Sequence, residues 1–273
     1  MAAWLAAGLL GAVVVGAAGY ATVMYLAWIM VRRRRLGALH RAHPVRAYLV
    51  EWASAALMVL LAVPTLFRRR VKLAEGNGGV PVLCVHGYTQ HWGNFVFMAP
   101  RLAAAGCGSV YGVNVVPRFR SMERCAAQVT EALLWIRAQT GAEKIDVICH
   151  SMGGLLLRAA LARHGADGLV RRAVTLGTPH AGTIIARFGP GQNAAEMRPG
   201  SAFLAALPAP PPTLTSVWST SDAVVLPPEN AACGAGDVVF DDLGHLSLLL
   251  SPRVWRTVGE RLTAPDPAHH VDG

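Results

Sequence analysis

The chain has 273 residues, enough for one α/β domain of ordinary size and an appendage. Its net charge of +9 lies wholly in residues 1–72, where ten Lys and Arg stand with one acid, Glu51, while residues 73–273 balance fifteen basic against fifteen acidic side chains. The basic residues form blocks, Arg32–Arg35 and Arg68–Arg70, each directly after a long apolar run, as membrane flanks do. They do not interleave with aromatics or polar loops, which excludes nucleic acid as the expected partner.

From Ala2 to Val31 no residue is charged, and thirty residues at about 1.5 Å each exceed the roughly 30 Å of bilayer hydrocarbon. The basic block follows this run rather than preceding it, so a retained anchor is expected in place of a cleaved signal peptide. A second run, Ala47 to Phe67, is long enough to span, with Glu51 near one end reaching the headgroups; an interfacial or re-entrant helix is the alternative. If both segments span, the six arginines of residues 32–46 face the cytoplasm and the rest of the chain lies outside, which Arg68, Arg69, Arg70 and Lys72 oppose. If only the first spans, the remainder is cytoplasmic. A bacterial inner membrane with a periplasmic domain is the expected location.

Residues 1–72 are therefore read as a membrane anchor of one or two helices, 73–264 as an α/β domain, and 265–273 as a disordered tail. After the turn Glu75–Gly79, strand and helix patterns alternate, the signature of a mostly parallel sheet covered by helices. Val80–Val85 predicts a strand, Phe95–Ala105 a helix and Ser109–Val116 a strand. Met122–Thr140 predicts the longest helix, with Ala126, Val129, Leu133, Leu134 and Ile136 on its apolar stripe and Gly141 beyond it. Strand Lys144–Cys149, helix Met152–His164 and strand Arg172–Leu176 follow. The alternation lapses into a Gly/Pro-rich cap near 183–212 that holds one short helical piece, Ser201–Leu207. Thr213–Trp218 and Asp237–Phe240 are the last strands and Pro252–Leu262 the closing helix. Five cysteines, Cys84, Cys107, Cys125, Cys149 and Cys233, show no CxxC spacing; one disulfide among Cys107, Cys125 and Cys233 stays open.

The chemistry concentrates where a strand runs into Cys149-His150-Ser151-Met152-Gly153 and a helix leaves with almost no loop. So tight a turn projects the Ser151 hydroxyl above the strand ends and needs small residues two positions either side. Gly153 meets this, and Cys149 stands where a first Gly is expected. Ser151 needs a base, and the order Ser, Asp, His places Asp222 at the end of one strand and His245 in the loop before the last helix, both where open α/β sheets bind ligands. Asp241 and Asp242 stand too close in sequence to His245 to orient it from the sheet, Asp237 is a further competitor, and Asp146 is at the wrong end of its strand. The backbone N–H groups of Met152, at a helix N-terminus, and Tyr88, after the first strand, are the candidate oxyanion donors. His86 is either a brace for that loop or part of the site, and His150 and His180 flank it without a direct role.

At these residues the chain resembles bacterial lipases and esterases of the α/β-hydrolase superfamily. The likeness is carried by His86-Gly87-Tyr88, His150-Ser151-Met152-Gly153-Gly154, Gly177-Thr178-Pro179-His180-Ala181-Gly182 and the stretch Glu196–Leu204, and it covers roughly residues 78–262. It implies the α/β-hydrolase fold, a Ser151–His245–Asp222 triad, an acyl-enzyme and no metal or cofactor. The expected activity is hydrolysis of a lipid or other apolar ester at a bilayer. Alternatives are an acyltransferase using the same acyl-enzyme and a non-catalytic membrane scaffold; oligomeric state is unreadable. Ile184, Ile185, Phe188, Phe203, Leu204 and Leu207 are read either as an acyl-chain wall or as ordinary packing.

Overall fold

The structure, a computed structural model, describes residues 44–265 apart from 118 and 235, and before them 11, 15–16, 18–20 and 22–30. The expectations for residues 1–10, the arginine-rich 32–43 and the tail 266–273 lie outside the described residues. Residues 22–30 are helical, and the next helix, α1, spans Pro44–Leu60 and passes into a 3-10 turn at Val63–Phe67.

Seven strands follow: β1 Arg70–Ala74, β2 Val82–Val85, β3 Val110–Val113, β4 Ile145–His150, β5 Val170–Leu176, β6 Leu214–Ser219 and β7 Val238–Phe240. They form one sheet in the order β1-β3-β2-β4-β5-β6-β7, parallel throughout except for β1, which runs antiparallel to β3. Every residue of β2, β3 and β4 is buried, as expected of strands covered on both faces. Alternate side chains feed two cores. Leu83, Val85, Val147 and Cys149 point to one side, onto α3 (Met122–Thr140) and α4 (Met152–Arg163). Val82, Cys84, Ile148 and Val174 point to the other, onto α2 (Ala99–Ala104) and α7 (Pro252–Thr263).

The helix expected over Met122–Thr140 has those bounds because both ends are capped: the Ser121 side chain accepts from the Arg124 N–H, and Gly141 takes the left-handed conformation at φ 70°. Its buried stripe runs through Val129, Ala132, Leu133 and Ile136; Leu134, expected on it, is 49 % exposed. The helix expected over Phe95–Ala105 is split into a 3-10 turn at Trp92–Phe95 and α2, whose first turn holds Pro100. In the cap, α5 (Gln192–Glu196) and α6 (Ala202–Ala205) are single short turns after a 3-10 turn at Ile184–Arg187. All five cysteines are free.

The described part of the N-terminal segment packs on the sheet domain, while much of the first expected span, 2–31, lies outside the described residues. Among the described residues no helix is long and apolar enough to cross a membrane. Instead α1 lays Ala55 and Met58 into the second core, with Trp52 and Ala56 packed against it. Glu51, expected at the headgroups, is buried against the sheet domain. Residues 22–30 dock similarly: Tyr25 and Trp28 cluster with Ala223 and Leu226, and the Trp28 indole N–H donates to the Thr220 carbonyl at 3.1 Å. The Arg68–Arg70 block leads into the sheet: Arg70 opens the edge strand β1, and Arg69 donates to Gln128 of α3 at 2.7 Å.

Candidate active site

Ser151 sits between β4 and α4 with φ 54° and ψ −127°, a conformation that costs a non-glycine residue energy and survives only where its surroundings enforce it. The enforcement is visible. The Ser151 N–H donates to the Leu176 carbonyl at 2.9 Å, and the Ser151 carbonyl accepts from the Thr178 hydroxyl at 2.8 Å. The neighbouring glycines are sterically required: a Cβ on Gly153 would lie 2.5 Å from the Val85 carbonyl oxygen, and one on Gly87 would lie 2.7 Å from the Ser151 Cβ. Cys149 is fully buried in the first core, and burial pushes its thiol well up, so it stays a small apolar side chain.

His245 lies in the loop between β7 and α7, and Asp222 three residues beyond β6. The His245 Nδ1 is 2.7 Å from Asp222 Oδ2, and both side chains are buried. A carboxylate can only accept, so Nδ1 carries the hydrogen and Nε2 presents its lone pair when the ring is neutral. Asp222 is itself oriented, since its Oδ1 accepts from the Val224 and Val225 N–H groups at 2.8 and 2.9 Å. The competing acids are engaged elsewhere: Asp242 with Arg253, Asp237 with the Cys233 N–H, and Asp146 with Arg171. Burial works against a charged His245, but the charge and hydrogen bond of Asp222, and then Glu51, outweigh it and raise the imidazole above its ordinary value.

Ser151 and His245 open onto one cavity of about 560 Å³. Its walls come mainly from three parts of the chain, with Pro179, Val224, Val225 and Leu246 completing them. The loop after β2 gives Tyr88, Thr89 and Gln90; the cap gives Ile185, Phe188, Ala194 and Met197; the N-terminal segment gives Tyr20, Met24, Ala55, Met58 and Val59. Of the apolar cap residues singled out in the sequence, Ile185 and Phe188 line this space, Ile184 packs beside Tyr25 and Trp28, and Phe203, Leu204 and Leu207 join the first core.

The two candidate oxyanion donors neighbour Ser151: Met152 is the first residue of α4, and Tyr88 follows Gly87, whose backbone passes against Ser151. The Tyr88 hydroxyl ties this loop to the cap by donating to the Pro190 carbonyl at 2.5 Å. His86 braces the loop, accepting from the Val115 N–H at Nε2 and donating from Nδ1 to the Gly87 carbonyl. His180 contacts Thr175 rather than the cavity, and burial holds its pKa down at about 3. His150 does more than flank the site: its Nε2 donates to the His245 carbonyl at 3.0 Å. Among the described residues no group of three or more His, Cys, Asp or Glu stands ready to hold a metal.

A sequence model of the α/β hydrolase fold matches residues 80–198, a stretch that holds Tyr88 and Ser151 and ends before Asp222 and His245. A Bacillus licheniformis lipase in its mature form superposes with a TM-score of 0.55 at 17 % identity, over 68 % of this chain and 94 % of that one. The chain has the α/β-hydrolase fold. Aspergillus fumigatus lipase B shares that fold at a TM-score of 0.61 and 18 % identity, over 73 % of this chain and 57 % of the other. A thermophilic esterase from Thermogutta terrifontis matches at 0.50 and 18 %, over 71 % and 97 %. The likeness to these two lipases and the esterase is one of fold. Sequence reasoning missed the share that the N-terminal segment takes in its site; the lone acid in an apolar run, Glu51, was the available signal.

Proposed function

We propose that this chain is a membrane-associated serine hydrolase that cleaves carboxylic esters carrying an apolar acyl group. The observation that carries the proposal is one largely apolar cavity onto which a hydroxyl on a strained turn and an imidazole bound to a buried carboxylate both open. His245 Nε2 takes the Ser151 proton as the oxygen attacks the ester carbonyl, and Asp222 keeps Nδ1 protonated and stabilises the imidazolium. The Met152 and Tyr88 N–H groups meet the developing oxyanion, each worth about 3 kcal/mol. The imidazolium returns its proton to the leaving alcohol. Water, deprotonated by the same base, then releases the acid from the acyl-enzyme.

Attachment to a bilayer is supported by apolar side chains left exposed on the elements that roof the cavity: Val15, Val23, Leu26 and Met30, then Val45, Leu49, Val59 and Leu60. A lipid ester held in that bilayer would reach the cavity between the N-terminal helices and the cap.

Hydrolysis of p-nitrophenyl esters of graded chain length by the wild type and Ser151→Ala tests the proposal. Turnover that favours longer acyl chains and vanishes in the variant is expected. Equal rates for the two proteins would remove Ser151 as the nucleophile.

A further inference from the structure

Glu51 is 2 % exposed, on the face of α1 turned toward the sheet domain. Its carboxylate reaches the loop that carries His245. The Leu246 N–H donates to both carboxylate oxygens, at 2.8 and 2.9 Å, and the Ser247 N–H donates to Oε2 at 3.1 Å. The loop is shaped around it: a Cβ on Gly244 would run into the carboxylate, and Ser247 closes the turn by accepting from the Gly244 N–H at 2.7 Å. On the other side the His150 ring donates to the His245 carbonyl. The main chain of His245 is thus gripped from two directions, one of them α1.

A buried carboxylate costs several kcal/mol unless its charge is used or paired. The groups around this one show a use. His245 and Asp222 act on it, Tyr20 and Tyr25 feel its charge from the N-terminal segment, and the His150 ring lies 4.6 Å from that of His245.

We propose, on the reading of His245 as general base, that Glu51 is a positioning residue: from α1 its carboxylate fixes the main chain just after His245 and sets a second negative charge, beside Asp222, near the imidazolium that forms when the serine proton is taken. Burial pushes the Glu51 carboxyl up to about 7, against the lowering effect of His245 and the Leu246 and Ser247 N–H groups. Near neutrality its ionisation is therefore coupled to that of the imidazole, and each charge favours the other.

Glu51→Gln in the full-length chain tests this, with Ser151→Ala in parallel. The expected result is a fall in kcat of about tenfold with KM within about twofold, and an acid limb of kcat/KM moved to lower pH because one carboxylate no longer supports the protonated ring. A merely structural role would lower the melting temperature and leave the limb in place; an unmoved limb overturns the proposal. Activity in Ser151→Ala would instead sink the nucleophile assignment, so the two failures are separable. Should Glu51→Gln not fold, the wild type decides by imidazole 15N NMR. Two inflections in the His245 ring shifts, its own and one from Glu51 at about 7, are expected; a single inflection overturns the proposal.

Discussion

As the proposed general base, His245 would have to accept a proton inside a buried site, and its carboxylate neighbours decide whether it can. Burial alone would hold the ring neutral, whereas Asp222 and Glu51 raise its pKa above the ordinary value of about 6.5. The base acts when neutral, so activity should rise with pH through that raised pKa, and the acid limb of kcat/KM should lie above pH 6.5 or so. The stability sign is the reverse: a raised folded pKa contributes stability that is complete below the unfolded pKa and is lost as pH rises through the folded one. Melts taken beside the rate profile should therefore show this ion pair weakening where activity appears. Asp222→Asn removes the charge and lets an amide N–H meet Nδ1, which favours the wrong tautomer. A loss of about 10⁴-fold in kcat on a short ester is expected, and a loss under tenfold would show that another group orients the ring.

At the scale of elements, α1 is the piece whose role changes most. An anchor separable from its domain could be cut away without harm to hydrolysis of a soluble ester. Here α1 gives the second core Ala55 and Met58, walls the cavity with Met58 and Val59, and holds the His245 loop through Glu51. Burying side chains of that size contributes about 1.5–3 kcal/mol each for the larger ones. Deletion of residues 1–62 should therefore lower the melting temperature and abolish turnover of p-nitrophenyl butyrate; full activity would restore the separable anchor. The sequence made this hard to see because hydropathy does not distinguish a side chain facing lipid from one facing a protein interior. β1 was hidden for a related reason: Arg70–Ala74 is an edge strand with half-buried positions and no clean alternation, so its charges dominated the pattern. Elements with capped ends or fully buried strands, such as α3 and β4, were legible almost to the residue. That Asp222 meets His245, and that His245 and Ser151 share one cavity, was legible by chain order and by their places at strand ends. Glu51 stood out only as a lone acid in an apolar run, and its partners 195 and 196 residues away could not be read from that.

At the scale of the whole molecule, the N-terminal elements that line the cavity also carry the exposed apolar side chains. A molecule of this shape should bind anionic vesicles through its N-terminal segment, with basic groups such as Arg46 and Arg68 nearby to reinforce the contact. Replacing Val45, Leu49 and Leu60, which are exposed and do not line the cavity, by Ser should release the protein from vesicles in a flotation assay while leaving soluble-ester turnover within about twofold of the wild type. Retention on the vesicles would move the membrane contact elsewhere.

The most direct measurement is the site of covalent capture by a fluorophosphonate, which reacts only with a serine whose proton has somewhere to go. Mass spectrometry of the labelled full-length protein should place one adduct on Ser151, lost in His245→Ala with the fold retained and slowed by a competing long-chain ester. A folded wild type that takes no label, or takes it at another residue, would contradict the catalytic account.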